Sequence, residues 1–131
     1  MASIHKDIPI DAPPDQIWAA VRDFGAVHRL APGFVLDARL DGDARIVTFA
    51  NGMVAREVLV DCDDTRRLVY AVIGERVTHY NASVQVLADG ETGSRLIWIV
   101  DLLPHAMAPY IGGQMDEAAL AMQQALARSA A

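Results

Sequence analysis

The stretch IPIDAPPDQIWAAVRDFGAVHRLAP, Ile8–Pro32, switches from a strand rhythm to a helical one and then breaks off. Its first residues complete an alternation that starts at Ser3. Ile4, Lys6, Ile8 and Ile10 lie on one side and Ser3, His5 and Asp7 on the other, the mark of a half-buried strand. Asp11 is a candidate helix cap, with prolines after it where a missing N–H costs nothing. From Pro14 to Phe24, Ile17, Trp18, Val21 and Phe24 recur at helical spacing. Gly25 stops that helix, and Val27 to Leu30 make one further turn before Pro32 and Gly33.

From Phe34 onward the period is two. Strands are expected at 34–40, 44–50, 53–62, 67–74, 78–88 and 95–103. Asn51-Gly52 reads as a type I′ hairpin turn, which needs two residues tolerant of positive φ. The other separators are short and polar, without intervening helices, so the strands should form an antiparallel meander. After Pro104 the helical period returns, with Ile111, Met115, Ala118 or Ala119, Met122 and Leu126 stepping by three or four. Gly112 and Gly113 should weaken the first turn of this helix. The order is strand, one or two short helices, six strands, long helix. It packs most economically as an α+β domain whose curved sheet covers the C-terminal helix with one face.

Composition narrows the function. The chain has 131 residues, of a size for one domain with a real core. No apolar run approaches the ~20 residues of a membrane span. MASIHKD lacks the apolar stretch and basic lead of a signal peptide. Cys62 is the sole cysteine and has no internal partner, which fits a reducing cytoplasm. Net charge is −6, and the eleven basic residues, Lys6 the single lysine among them, are dispersed. Nucleic acid and anionic membrane surfaces are therefore disfavoured partners. A neutral or apolar small molecule remains.

Strand parity selects the inward residues. Tyr80, Ala82, Val84 and Val86 share one face, and His79, Asn81, Ser83 and Gln85 the other. Leu96, Trp98, Val100 and Leu102 likewise share a face, so Tyr80 and Trp98 bring polar edges toward the helix. In the strand MVAREVLVDC, parity leans to Arg56 inward, because Val54, Val58 and Val60 share its face; Glu57 then falls outside. Each residue has a plainer role beside the functional one. A tyrosine like Tyr80 is more often a core phenol, and Trp98 more often packing. Met115 and Met122 belong ordinarily to a core stripe, although methionine also suits adaptable ligand surfaces. His5, His28, His79 and His105 lack metal-ligand spacing, so no metal is expected. Cys62 sits among Asp61, Asp63 and Asp64, neighbours that discourage a nucleophilic thiolate. No phosphate-cradling glycine loop or nucleophile elbow is present, and no cofactor is expected.

The string IDAPPDQIWAAVRDF followed by Gly25, with the late Trp98 and Pro104, resembles the START-like, helix-grip proteins of the SRPBCC superfamily. More narrowly it is similar to their bacterial polyketide cyclase/dehydrase-like branch. The segment AREVLVDCDDTRRLVYAVIGERVTHYNASVQV also resembles the equivalent stretch of the plant abscisic-acid receptors. The resemblance spans roughly residues 4 to 126 and implies a seven-stranded antiparallel sheet gripping the long C-terminal helix, with a ligand cavity between. By position, Glu57 matches a cavity-facing acidic residue, Tyr80 a cavity tyrosine, and Trp98 a tryptophan common in the cyclase-like branch. The resemblance thus turns Glu57 inward, against the parity of its strand. The Asn-Gly turn is shorter than the receptors' gating loop. No lysine occupies residues 28 to 36, where His28 and Arg29 are the nearest basic groups; this argues against a carboxylate-bearing ligand. The short chain suggests a small pocket.

The expected function takes two main forms. In one, a small, largely apolar molecule, polyketide-like, aromatic or lipid-like, binds among Glu57, Tyr80, Ala82, Trp98, Ile111, Met115 and Met122 and undergoes cyclase/dehydrase-type chemistry. Glu57 would be its general base and Tyr80 the donor to a substrate carbonyl or enolate. In the other, the protein is a non-catalytic carrier or sensor of a lipid, quinone or aromatic metabolite. A third reading has the cavity filled, with the apolar outer strip of RLVYAVI as a protein-contact surface, for instance of a homodimer.

Overall fold

The computed structural model describes the backbone of residues 1–130 and the side chains of residues 1–127. Seven strands form one antiparallel sheet: β1 (Ala2–Ile10), β2 (Val35–Asp41), β3 (Ala44–Phe49), β4 (Val54–Asp63), β5 (Arg67–Ile73), β6 (His79–Asp89) and β7 (Gly93–Leu103). Their order is β1-β7-β6-β5-β4-β3-β2, a meander closed by β1 against β7. Between β1 and β2 lie α1 (Pro14–Arg22), a single 3₁₀ turn (Phe24–Ala26) and the short α2 (Val27–Leu30). The long α3 (Ala108–Ala130) returns across the concave face. This is the helix-grip arrangement.

Local chemistry explains the elements, with some differences from the expectation. The residue capping α1 is Pro13, in an extended conformation, and no side chain caps it; Asp11 takes no part. Pro14 stands at the first helical position, where its fixed φ suits the helix. Helix α1 ends at Arg22, two residues before Phe24. Gly25 therefore does not stop α1; it lies within the 3₁₀ turn. A Cβ there would lie 2.8 Å from Cγ of Leu40, so any larger residue at this turn would have to displace the exposed Leu40 side chain of β2. The α3 helix runs unbroken through Gly112 and Gly113.

The core lies between the concave face and the helices. Ile8 and Ile10 of β1, Val84 and Val86 of β6, and Leu96, Val100 and Leu102 of β7 meet Met115, Ala118, Met122 and Leu126 of α3. Ile17 of α1 is fully buried at one end of the same core. Each such side chain contributes about 1.5–3 kcal/mol by leaving water. Polar ties fix the layers. Lys6 Nζ reaches Asp116 at 2.7 Å, and Gln123 Nε2 donates to the Pro9 carbonyl at 3.0 Å. Buried Ser94 donates to the Ala12 carbonyl at 2.6 Å, holding the entry to α1.

Two breaks in register, between Val35 and Asp37 and between Leu59 and Asp61, bend the sheet around α3. The turn between β3 and β4 is a three-residue loop and not a type I′ pair. Gly52 N–H donates to the Phe49 carbonyl at 2.9 Å, Phe49 N–H to the Met53 carbonyl at 2.9 Å, and only Gly52 of the Asn-Gly pair takes positive φ, +88°. That geometry sets the register so that Arg45 stands directly opposite Glu57.

Candidate functional site

Glu57 points inward and Arg56 outward, the reverse of what strand parity suggested and in line with the family resemblance. The valines misled the parity argument. Val54 and Val60, which share Arg56's side, are 62 % and 58 % exposed on the convex face. β-Branched residues suit an extended backbone on either face of a sheet, so their presence does not mark an interior. The Arg56 guanidinium turns to Asp41 at 2.7 Å, while Glu57 is buried.

The partner of Glu57 is Arg45, a residue that the sequence did not single out. Arg45 Nε donates to Glu57 Oε1 at 2.8 Å and its Nη1 to the Phe24 carbonyl at 3.2 Å. Its guanidinium stacks 4.1 Å from the centroid of the Phe24 ring and 5.0 Å from that of Tyr70. Both charged side chains are almost wholly withdrawn from water. A pair like this survives burial because each charge has a partner and the guanidinium has aromatic faces on which to rest. Glu57 Oε1 is thereby committed to Arg45.

Beside this pair, between the sheet and the first half of α3, lies a cavity of about 620 Å³. That volume falls within the ~300–1,000 Å³ range of small-molecule sites. Its walls are largely apolar, with Phe34, Phe49, Val72, Met107, Ile111 and Met115 among them. From the sheet, Glu57 of β4, Tyr70 of β5, Tyr80 of β6 and Trp98 of β7 reach it with polar groups, and Asn51, Glu75, Arg76, Tyr110 and Gln114 also border it. Arg56 also borders it, from the outer face, with its charge turned to Asp41. A smaller chamber of about 70 Å³ continues inward past Arg45, Val47 and Met122, and shares Phe34, Phe49, Glu57, Tyr70 and Trp98 with the first. The rings of Phe34 and Phe49 meet edge to face at 5.6 Å between the two. Around the larger space, the Tyr110 hydroxyl donates to Met53 Sδ and accepts from Asn51 Nδ2, both at 3.2 Å, tying α3 to the β3–β4 turn.

Burial governs the two phenols. It pushes the Tyr70 hydroxyl far above the usual tyrosine range, the Glu57 charge adding to the rise and Arg45 opposing it. Burial likewise raises Tyr80, with Tyr70 and Glu57 as lesser causes. Both therefore stay protonated at physiological pH and serve as neutral donors. The Trp98 indole N–H lies toward the Tyr70 hydroxyl and eases its rise, yet falls short of hydrogen-bond geometry, leaving a buried donor without a partner among the described residues.

Of the residues expected at the site, Glu57, Tyr80, Trp98, Ile111 and Met115 line the larger space and Met122 the smaller. Ala82 lines neither. It is fully buried on β6 directly across from Tyr70 and Val100, and its small side chain leaves room above the sheet. Arg45 and Tyr70 were missed although each carried a signal. Arg45 shares strand parity with Val47 and Phe49, and Tyr70 with Leu68 and Val72. Among the described residues no cluster of potential metal ligands occurs, and no helix is long and apolar enough to cross a membrane.

The fold recurs widely among solved structures. The protein XoxI from Bacillus cereus superposes with a TM-score of 0.85 at 23 % identity, covering 96 % of each chain. A START superfamily protein from Mycobacterium smegmatis gives 0.74 at 14 % identity, covering 98 % of this chain and 96 % of that one. Truncated norcoclaurine synthase from Thalictrum flavum gives 0.73 at 20 % identity, covering 98 % and 92 %. At these identities the likeness establishes the fold alone. No curated protein matches the sequence. The family model for polyketide cyclase/dehydrase and lipid transport proteins matches residues 1–131, and the chain belongs to that family.

Proposed function

We propose that this protein binds a small, largely apolar molecule, polyketide-like or aromatic, in the cavity beneath α3, and acts on it as a cyclase or dehydratase. The observation that carries this reading is the convergence of the buried Glu57 carboxylate and two protonated phenols, Tyr70 and Tyr80, on a largely apolar space. The family supports a hydrophobic ligand. The similarity of fold to norcoclaurine synthase, a protein named as a synthase, supports the capacity of this scaffold for chemistry.

In this mechanism Glu57 is the general base. Oε1 stays on Arg45, and Oε2 takes a proton from a carbon next to a substrate carbonyl. Tyr80 donates a hydrogen bond to the oxygen on which negative charge develops. The enclosing walls fold a flexible substrate so that its reacting carbons approach, which contributes more than either polar group. Loss of water completes a dehydration, with the Glu57 proton delivered to the departing hydroxyl. Glu57→Gln keeps the shape and removes the base, so turnover should fall by about 10² or more. Full turnover by Glu57→Gln would end the assignment.

The second reading, a carrier, is favoured by one observation: the buried carboxylate of the cavity, Glu57, is tied to a cation. Native mass spectrometry of freshly purified protein, followed by organic extraction, separates the two. A stoichiometric adduct that survives purification marks a carrier. An empty protein that converts an offered polyketide-like substrate marks the enzyme.

A further inference from the structure

The buried indole N–H of Trp98 is unusual in this molecule. Trp98 is 9 % exposed, and its Nε1 has no hydrogen-bond partner among the described residues. A buried donor left unmade costs free energy that apolar packing does not repay. Val84 of β6 and then Leu68 of β5 stand directly across from Trp98; Tyr70 lies two residues along β5 from Leu68, on the same face, and lines both chambers together with Trp98. An indole N–H can only donate. If it serves the Tyr70 oxygen, the Tyr70 proton must point elsewhere. The Arg45 guanidinium beneath the ring donates and does not accept, so it cannot take that proton.

We infer that Tyr70 and Trp98 form a subsite for a carbonyl oxygen of the ligand. The Tyr70 hydroxyl donates to that oxygen, and Trp98 acts as a positioning residue that tightens onto the Tyr70 oxygen when the ligand is seated. The subsite rests on the proposed binding role and adds the ligand's class: an aromatic or conjugated ketone, quinones included. It also says what is rejected. The charge of Arg45 is already paired with Glu57, so a carboxylate entering beside it gains no free cation and faces the negative charge of Glu57. An apolar hydrocarbon of the same shape leaves the Tyr70 donor unmade.

Calorimetric titration of the full chain with four probes of similar size tests this: methyl naphthyl ketone, naphthoquinone, isopropylnaphthalene and naphthoate. The ketone and the quinone should bind about three- to tenfold tighter than the hydrocarbon, the range of one neutral hydrogen bond, and naphthoate weakest. Tyr70→Phe should bring the ratio of ketone to hydrocarbon affinity to about one. Trp98→Phe should reduce the ratio of ketone to hydrocarbon affinity, whatever it does to the affinity of both, an effect that a purely packing role would not produce. Equal binding of ketone and hydrocarbon by the wild type would overturn the subsite and leave the apolar cavity standing. Binding of none of the four would overturn both. Retention of the preference in Tyr70→Phe with its loss in Tyr80→Phe would move the subsite to Tyr80 and overturn the inference as stated.

Discussion

Arg56 and Glu57 are consecutive residues of one strand, and each sits in an ion pair of ordinary length, 2.7 Å to Asp41 and 2.8 Å to Arg45. They differ only in the face of the sheet they occupy. On the convex face both partners are about half exposed, and water already solvates them well. On the concave face both are almost fully buried, and each charge depends on the other. Separation therefore says little about what a pair contributes. The solvent that it excludes decides.

The sharpest way to break the comparison is to orphan one charge on each face. Arg45→Met leaves the Glu57 carboxylate buried without its cation and should cost about 3–5 kcal/mol in urea denaturation. The double variant Arg45→Met/Glu57→Leu removes both charges and should recover most or all of that loss. Recovery in the double variant separates an orphaned charge from simple loss of packing around Phe24 and Tyr70. If both variants were equally unstable, the pair would matter for its shape alone.

Second in size is the turn that aligns the buried pair. Gly52 holds φ +88° with open space around it, so a Cβ there meets no neighbour and the cost is purely conformational. Gly52→Ala should lose about 1–2 kcal/mol, measured by the same denaturation. Because the Arg45 register descends from this turn, the variant should also slow any turnover that Glu57 supports. A loss confined to stability would show that the register is held by the strands and not by the loop.

This turn is also where legibility in the sequence ran out. The order of elements, the meander, the inward faces of β1, β6 and β7 and the stripe on α3 all follow from period two or period 3.6 in apolar residues, and the structure has them. Asn-Gly, in contrast, serves two turn types. As a two-residue turn it would pair Ala50 with Met53 and set Arg45 opposite Val58. The observed loop pairs Phe49 with Met53 instead, because the Ala50 N–H is drawn to the Phe34 carbonyl at 2.9 Å and the Asn51 side chain accepts from Met53 N–H at 3.0 Å. The first of these bonds is tertiary and is invisible in the local sequence. The valines of β4, Val54 and Val60 exposed on the convex face, drew the parity reading to Arg56, and the pairing of Arg45 with Glu57 rests on a register that the local sequence does not carry.

The smallest effect belongs to the convex pair, and its pH dependence shows why. The hydrogen bond and charge of Arg56 hold the Asp41 carboxyl below the usual aspartate range. A depressed folded-state value stabilises the fold above the ordinary aspartate value and loses that contribution as pH falls through the folded one, a window below about pH 4. At neutral pH, Arg56→Ala should shift the urea midpoint by little more than the error of the measurement. The difference between wild type and Asp41→Asn, slight to begin with, should vanish on acidification and should shrink in roughly 1 M salt, where exposed charges are screened within about 3 Å. The loss in Arg45→Met should respond much less to the same salt, since a buried charge is screened far less than an exposed one. An Arg56→Ala penalty as large as that of Arg45→Met would mean that the two faces of β4 do not differ as their exposure implies.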